Sequence, residues 1–96
     1  MIQSFRHAGL RKIWEKGKSR KINPQWTLRI RARLTALQNA GSIEDIDLPG
    51  YKLHELKGES AGTWAIWVTG NWRMTFQPEE TAESFDIHDV NLEDYH

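Results

Sequence analysis

Hydrophobic residues change period near the middle of this chain, and that change leaves few folds open. Up to Gly41 the apolar positions repeat with helical spacing, whereas from Tyr51 onward they alternate as in strands. Leu10, Ile13, Trp14 and Gly17 fall at i, i+3, i+4 and i+7, which predicts a helix over about residues 6 to 16, closed by Gly17. Its stripe faces inward and leaves Arg11, Lys12 and Lys16 in water. After the basic connector Lys18-Ser19-Arg20-Lys21, Asn23-Pro24 reads as a helix start, with an Asn that can accept an orphan N–H and a Pro that forfeits no bond. Trp26, Ile30, Leu34 and Leu37 then form the buried stripe of a second helix reaching about Ala40. Arg29 and Arg33 lie on one flank of that stripe and Arg31 on the other.

The remainder predicts sheet. Residues 42–50 form a turn-rich connection, followed by strands at Tyr51–Leu56, Thr63–Thr69, Trp72–Gln77 and Ser84 to about Val90, with a tight turn at Gly70-Asn71. Ile2–Phe5 suggests a short opening strand. Because side chains alternate across a strand, Trp64, Ile66, Val68, Trp72, Met74 and Phe76 share the face that meets the helices. His54, Ala65, Trp67, Arg73, Thr75 and Gln77 then occupy the other face. The expected architecture is α+β: one domain over residues 1–96, with a short N-terminal strand and two N-terminal helices packed on one face of an antiparallel sheet. A chain of 96 residues supports one core.

Composition narrows the partners. The chain has no cysteine, which removes disulfides and thiolate metal sites, and His7, His54, His88 and His96 lack metal-ligand spacing. No metal or cofactor is expected. No stretch has the apolar length of a signal peptide core or a membrane span, so a cytoplasmic protein without membrane contact is expected. Net charge is zero, yet residues 1–40 hold ten Lys/Arg against Glu15 alone, and residues 41–96 hold three against twelve Asp/Glu. Such sorting gives either a basic face for nucleic acid, with Lys12, Lys16, Lys18, Arg20, Lys21, Arg29, Arg31 and Arg33 as candidates, or two solvated surfaces of opposite sign.

The helix-free face holds the residues fitted to chemistry. His54 can move a proton, and Arg73 and Lys57 can steady a phosphate. The sequence ends Glu93-Asp94-Tyr95-His96, so a tail folded over that face would bring carboxylate, phenol and imidazole toward His54. The competing reading is structural: a surface histidine, an arginine stacked on Trp67 and a frayed polar end.

Met1-Ile2-Gln3-Ser4-Phe5 before a helix, Tyr51-Lys52-Leu53-His54-Glu55-Leu56-Lys57-Gly58, Gly62-Thr63-Trp64-Ala65-Ile66, Asn71-Trp72-Arg73-Met74-Thr75-Phe76 and terminal Asp94-Tyr95-His96 together resemble the HigB branch of RelE-type toxins. The resemblance spans essentially the whole chain. It implies a RelE-like fold with a twisted sheet, and a metal-independent, ribosome-dependent endoribonuclease that cuts mRNA in the A site through the ribose 2′-OH. By matching motif positions it implies His54, Asp94, Tyr95 and His96 as the catalytic group, Lys57 and Arg73 as phosphate or transition-state contacts, and the basic first half as an rRNA-docking surface. It also implies a HigA-like helix-turn-helix antitoxin, with operator DNA bound only by the toxin–antitoxin complex. Two alternatives stay open: a ParE-like toxin that inhibits DNA gyrase without cutting, and an inactive toxin-like protein acting in operator binding. The acidic stretch from Glu79 to Glu93 departs from the more basic composition usual in the family.

Overall fold

The structure, a computed structural model, describes residues 1–95; His96 lies outside the described residues. The first helix, α1, spans Ala8–Lys16. His7 caps it: the Gly9 and Leu10 N–H groups donate to His7 Nδ1 at 3.0 and 3.3 Å, satisfying two of the orphan donors every helix start leaves. Only a ring nitrogen carrying a lone pair can accept them, so the cap requires a neutral imidazole. Glycine is needed at position 9 because a Cβ there would stand 2.8 Å from His7 Cε1. At the other end Gly17 takes the left-handed conformation, φ 89°, and donates its N–H to the Ile13 carbonyl at 2.8 Å.

Asn23 accepts the Gln25 N–H, and the 3₁₀ turn Pro24–Trp26 leads into α2, Thr27–Asn39. Ile30, Leu34 and Leu37 are buried as the stripe predicts, but Arg33 is buried with them. Its Nε donates to the Trp67 carbonyl at 2.7 Å, its Nη1 reaches the Arg29 carbonyl at 3.4 Å, and the guanidinium sits 4.3 Å over the Tyr51 ring. Arg33 is thus withdrawn from the basic surface expected to meet RNA. Burial pushes its pKa down, with the Tyr51 phenol opposing that and Arg29 adding to it. Trp14 also departs from expectation: it is 38% exposed, on a groove between the helices beside Arg31 and Thr35.

The sheet is a four-stranded antiparallel meander in chain order: β1 His54–Glu55, β2 Trp64–Thr69, β3 Trp72–Glu80 and β4 Phe85–Asp94. The strand expected over Tyr51–Leu56 shrinks to two residues because Gly50 and Lys52 both adopt positive φ, 82° and 52°. Tyr51 still accepts the Trp67 N–H at 2.7 Å, but the Trp67 carbonyl is left to Arg33 instead of a strand N–H.

β3 continues past Gln77 through Pro78, although proline usually ends a strand. Pro78 lies opposite Ile87, and Ile87 turns its N–H and carbonyl toward Met1 and Gln3, so the missing N–H of Pro78 points away from β4. β2 has already ended on that side, and no ladder bond is lost.

β4 runs beyond Val90 by absorbing a bulge, since Thr75 pairs with Asn91 but Gln77 pairs with His88. Asp89 takes φ 55° there, and the extra residue lets Ile87 and Val90, three apart, face one core. Ser4 Oγ accepts the Asp89 N–H at 2.8 Å. The opening segment joins β4 in parallel through isolated bridges, Ile2 to Ile87 and Phe5 to Val90, rather than a continuous strand. The Met1 ammonium donates to the Phe85 carbonyl at 2.8 Å. Gln3 donates to Asp86, and this bond leads the causes that hold the Asp86 carboxyl below its ordinary range.

Both helices lie on the sheet face carrying Ile66, Val68, Met74 and Phe76, where Leu10, Ile13, Ile30, Leu34 and Leu37 complete a dry core. The opposite face carries no helix among the described residues.

Candidate active site

Two cross-strand rows organise the open face. His54, Ala65, Thr75 and Asn91 lie in register across the four strands, and Trp67, Arg73 and Glu93 form the neighbouring row. His54 and Asn91 are therefore about 14 Å apart at the backbone, three strand spacings.

His54 sits exposed on the edge strand with Nδ1 2.8 Å from the Lys52 carbonyl oxygen. A carbonyl accepts only, so Nδ1 carries the proton and Nε2 presents its lone pair outward in the neutral ring. The left-handed turn at Lys52 is what brings that carbonyl to the imidazole. Lys57 is exposed just beyond β1, ahead of the 3₁₀ turn Gly58–Ser60, and Glu55 fastens this loop by accepting the Gly62 N–H at 3.0 Å.

Arg73 and Tyr95 meet. The Arg73 guanidinium carbon lies 4.8 Å from the Tyr95 ring centre, and the Tyr95 N–H donates to the Asn71 carbonyl at 3.0 Å, which fixes the backbone leaving β4. The competing structural reading places Arg73 on Trp67; the ring it meets is Tyr95, and Trp67 instead has Lys52 and Arg29 over its ring and donates Nε1–H to the Gly70 carbonyl. Arg73 Nε is buried without a hydrogen-bond partner among the described residues. The terminal N–H groups of the same guanidinium are not buried and are suited to an incoming phosphate on the open face. Asp94 is exposed opposite Trp72 at the end of β4, and the terminal imidazole expected beside it belongs to His96, outside the described residues. Of the sequence-predicted group, the structure joins Arg73 to Tyr95 and sets His54 at the far edge of the same face.

Several residues of this face carried no signal of their own in the sequence. A cleft of about 150 Å³ lies between the loop after β1 and the outer strand β4, with Arg6, Arg73, Thr75, Gln77, Asn91 and Glu93 among its walls. Thr75 donates its hydroxyl to Glu93 at 2.6 Å. Arg6 enters only because the opening segment runs beside β4, and Asn91 and Glu93 face the cleft only because of the bulge at Asp89. No local pattern announces either. The acidic residues Glu79, Glu80, Glu83 and Asp86 gather at the closed end of the β3–β4 hairpin, whereas Arg73 and Tyr95 lie at its open end. Their repulsion toward a phosphate is thereby kept away from the site.

Of the basic candidates other than Arg33, Lys12, Lys18 and Arg20 line a groove of about 550 Å³ by the loop between the helices, with Ile22 and Pro24 on its walls. Lys16 and Arg31 flank the second interhelical groove, and Lys21 is exposed. Arg29 is exposed, but its guanidinium donates to the Val68 carbonyl at 2.8 Å.

The fold and its bare sheet face define a class. The chain superposes on the YoeB/ParE toxin from Agrobacterium tumefaciens with a TM-score of 0.62, covering 98% of this chain and 99% of that one, at 13% identity, a likeness of fold alone. Within that class the family is settled by sequence: residues 3–96 match the RelE-like toxin of type II toxin-antitoxin system HigB, and the chain belongs to this HigB-like toxin family. It is also 43% identical over 96 residues to the Endoribonuclease HigB of Proteus vulgaris, covering 100% of both chains. No helix among the described residues is long and apolar enough to cross a membrane.

Proposed function

We infer that this toxin is an endoribonuclease that cuts mRNA in the ribosomal A site, using the helix-free face of its sheet. The family and the whole-length relative named as an endoribonuclease support the activity. The observation that carries the assignment of the face is His54, whose Nδ1 is held by a backbone carbonyl so that Nε2 stands as an acceptor. In the reaction His54 Nε2 takes the proton of a ribose 2′-OH, and the 2′-oxygen bonds to the adjacent phosphorus. The bond from phosphorus to the 5′-oxygen then breaks, giving a cyclic phosphate and a 5′-hydroxyl. Arg73 and Lys57 offset the charge that builds on the phosphorane. His96 protonates the departing 5′-oxygen. Tyr95, stacked on Arg73, holds that guanidinium and offers a surface to a base. The nucleophile belongs to the substrate.

Docking falls to the outer surface of the helical layer, where Lys12, Lys16, Lys18, Arg20, Lys21, Arg29 and Arg31 supply contacts to ribosomal RNA phosphates. As a type II toxin the chain is paired with an antitoxin. We assign it a HigA-like partner with a helix-turn-helix domain, and operator DNA binding to the complex of the two. The site of action is the cytoplasm.

The test is to incubate the purified protein with programmed ribosomes and map the mRNA ends. Cuts inside the A-site codon are expected, with none in messages lacking ribosomes. Intact messages together with inhibited gyrase supercoiling would replace this reading by the ParE-like one.

A further inference from the structure

We propose that the cleft beside Arg73 is a base-reading subsite, in which the Asn91 amide recognises the edge of one unstacked nucleobase of the message and Gln77 assists. The inference rests on the nuclease reading of this face and adds to it a specificity determinant.

Charge comes first. A subsite built for phosphate would be cationic, but this cleft balances Arg6 and Arg73 against Asp89 and Glu93. Amides and carboxylates at near-neutral balance are the groups that pair with base edges, where donors and acceptors must both be met.

Availability comes second. Asn91 is half-buried on the open face, and its side-chain amide has no hydrogen-bond partner among the described residues. An amide with both donor and acceptor unspent, held on a strand rather than a loop, is a fixed reader of a complementary edge. Gln77, on the same face of the neighbouring strand, makes among the described residues only a long 3.4 Å bond to Thr63 Oγ1 and can exchange it for a base. Glu93 differs, since its bond with Thr75 at 2.6 Å commits it to the wall.

Position comes third. The exposed Tyr95 ring, stacked on Arg73 next to the cleft, gives a splayed base a surface to lie on. Asn91 shares a cross-strand row with His54, so a strand of RNA lying along that row would present one nucleotide to the cleft and another to the imidazole.

The experiment measures cleavage on ribosomes carrying messages that place each of the four bases at each position of the A-site codon. The wild type is expected to prefer one base at one codon position. Asn91→Ala should flatten that preference by roughly tenfold, the discrimination an amide pairing with a base edge supplies. Asn91→Asp, which replaces the amide donor by an acceptor, should move the preference to a different base. Gln77→Ala, on an exposed side chain, should weaken the preference at the same codon position, and it decides the matter if an Asn91 variant fails to fold. Preferences unchanged in all folded variants, with every codon slowed alike, would overturn the proposal, as would a wild type that cuts without base preference. A wild type that leaves all messages intact would contradict the nuclease reading instead, and this inference with it.

Discussion

Two arginines, on opposite faces of one sheet, each stack on a tyrosine, and they do different things. Arg33 lies 4.3 Å over Tyr51 on the helical side, 7% exposed, with its guanidinium donors placed on the Trp67 and Arg29 carbonyls. Arg73 lies 4.8 Å over Tyr95 on the bare side, with Nε unpartnered among the described residues. The difference comes from the backbone around them. β1 is cut short by the left-handed Lys52, which leaves the Trp67 carbonyl without a strand donor, and Arg33 supplies one. Among the described residues no carbonyl draws on the Arg73 guanidinium, so its terminal N–H groups are left for something that arrives from outside. Whether an arginine is structural or functional is decided here by the carbonyls nearby that need it, not by its charge.

That contrast is open to direct attack. Arg73→Ala should lower cleavage on programmed ribosomes by roughly 100- to 1000-fold, the usual loss when one stabiliser of a transition-state charge is removed. Its thermal midpoint should stay within a few degrees of wild type. Arg33→Met should do the reverse, costing about 2 kcal/mol because buried carbonyls lose their donor, and so lowering the thermal midpoint by roughly 10 °C. Cleavage per folded molecule should persist. Arg33→Lys should recover only part of the loss, since an ammonium cannot reproduce the planar fork over Tyr51. An Arg33 variant that folds normally but cannot cut would erase the distinction.

A smaller effect, confined to the helical side, comes from His7. Burial chiefly, and Lys21 next, hold its imidazole below the ordinary value of 6.5, so the unfolded chain binds more protons than the folded one as pH falls. The stability this contributes is complete above about pH 6.5 and is lost as pH drops through the depressed folded value. Thermal midpoints measured between pH 7 and 5 should decline in the wild type, and more shallowly in His7→Asn, which keeps a capping acceptor without a titrating group. Equal slopes would remove His7 from the account.

How much of this was legible in the sequence divides along similar lines. The helices and the inward face of β2 and β3 were readable because local periodicity sets them: Ile30, Leu34, Leu37, Ile66, Val68, Met74 and Phe76 are all buried. Features that depend on neighbouring chain were not. Pro78 reads as the end of a strand until Ile87 is seen to turn its polar groups toward Met1 and Gln3. The spacing of Ile87, Val90 and Leu92 fits no single period until the bulge at Asp89 is known. His7 gives no familiar capping signal, and Arg33 looks like any basic residue on a helix flank. At the site, His54 and Arg73 could be placed on the open face by alternation, and Tyr95 and Asp94 were suggested by the polar run that closes the sequence and then by the family resemblance. Arg6, Asn91 and Glu93 needed the topology.

The claim on which the rest depends is that chemistry occurs on the bare face through the edge-strand imidazole. Single-turnover cleavage of a ribosome-bound message by His54→Ala, compared with wild type at equal folded concentration, tests it most directly. A fall of about 100-fold or more with an unchanged thermal midpoint is the expected result. Cleavage at the wild-type rate would contradict it.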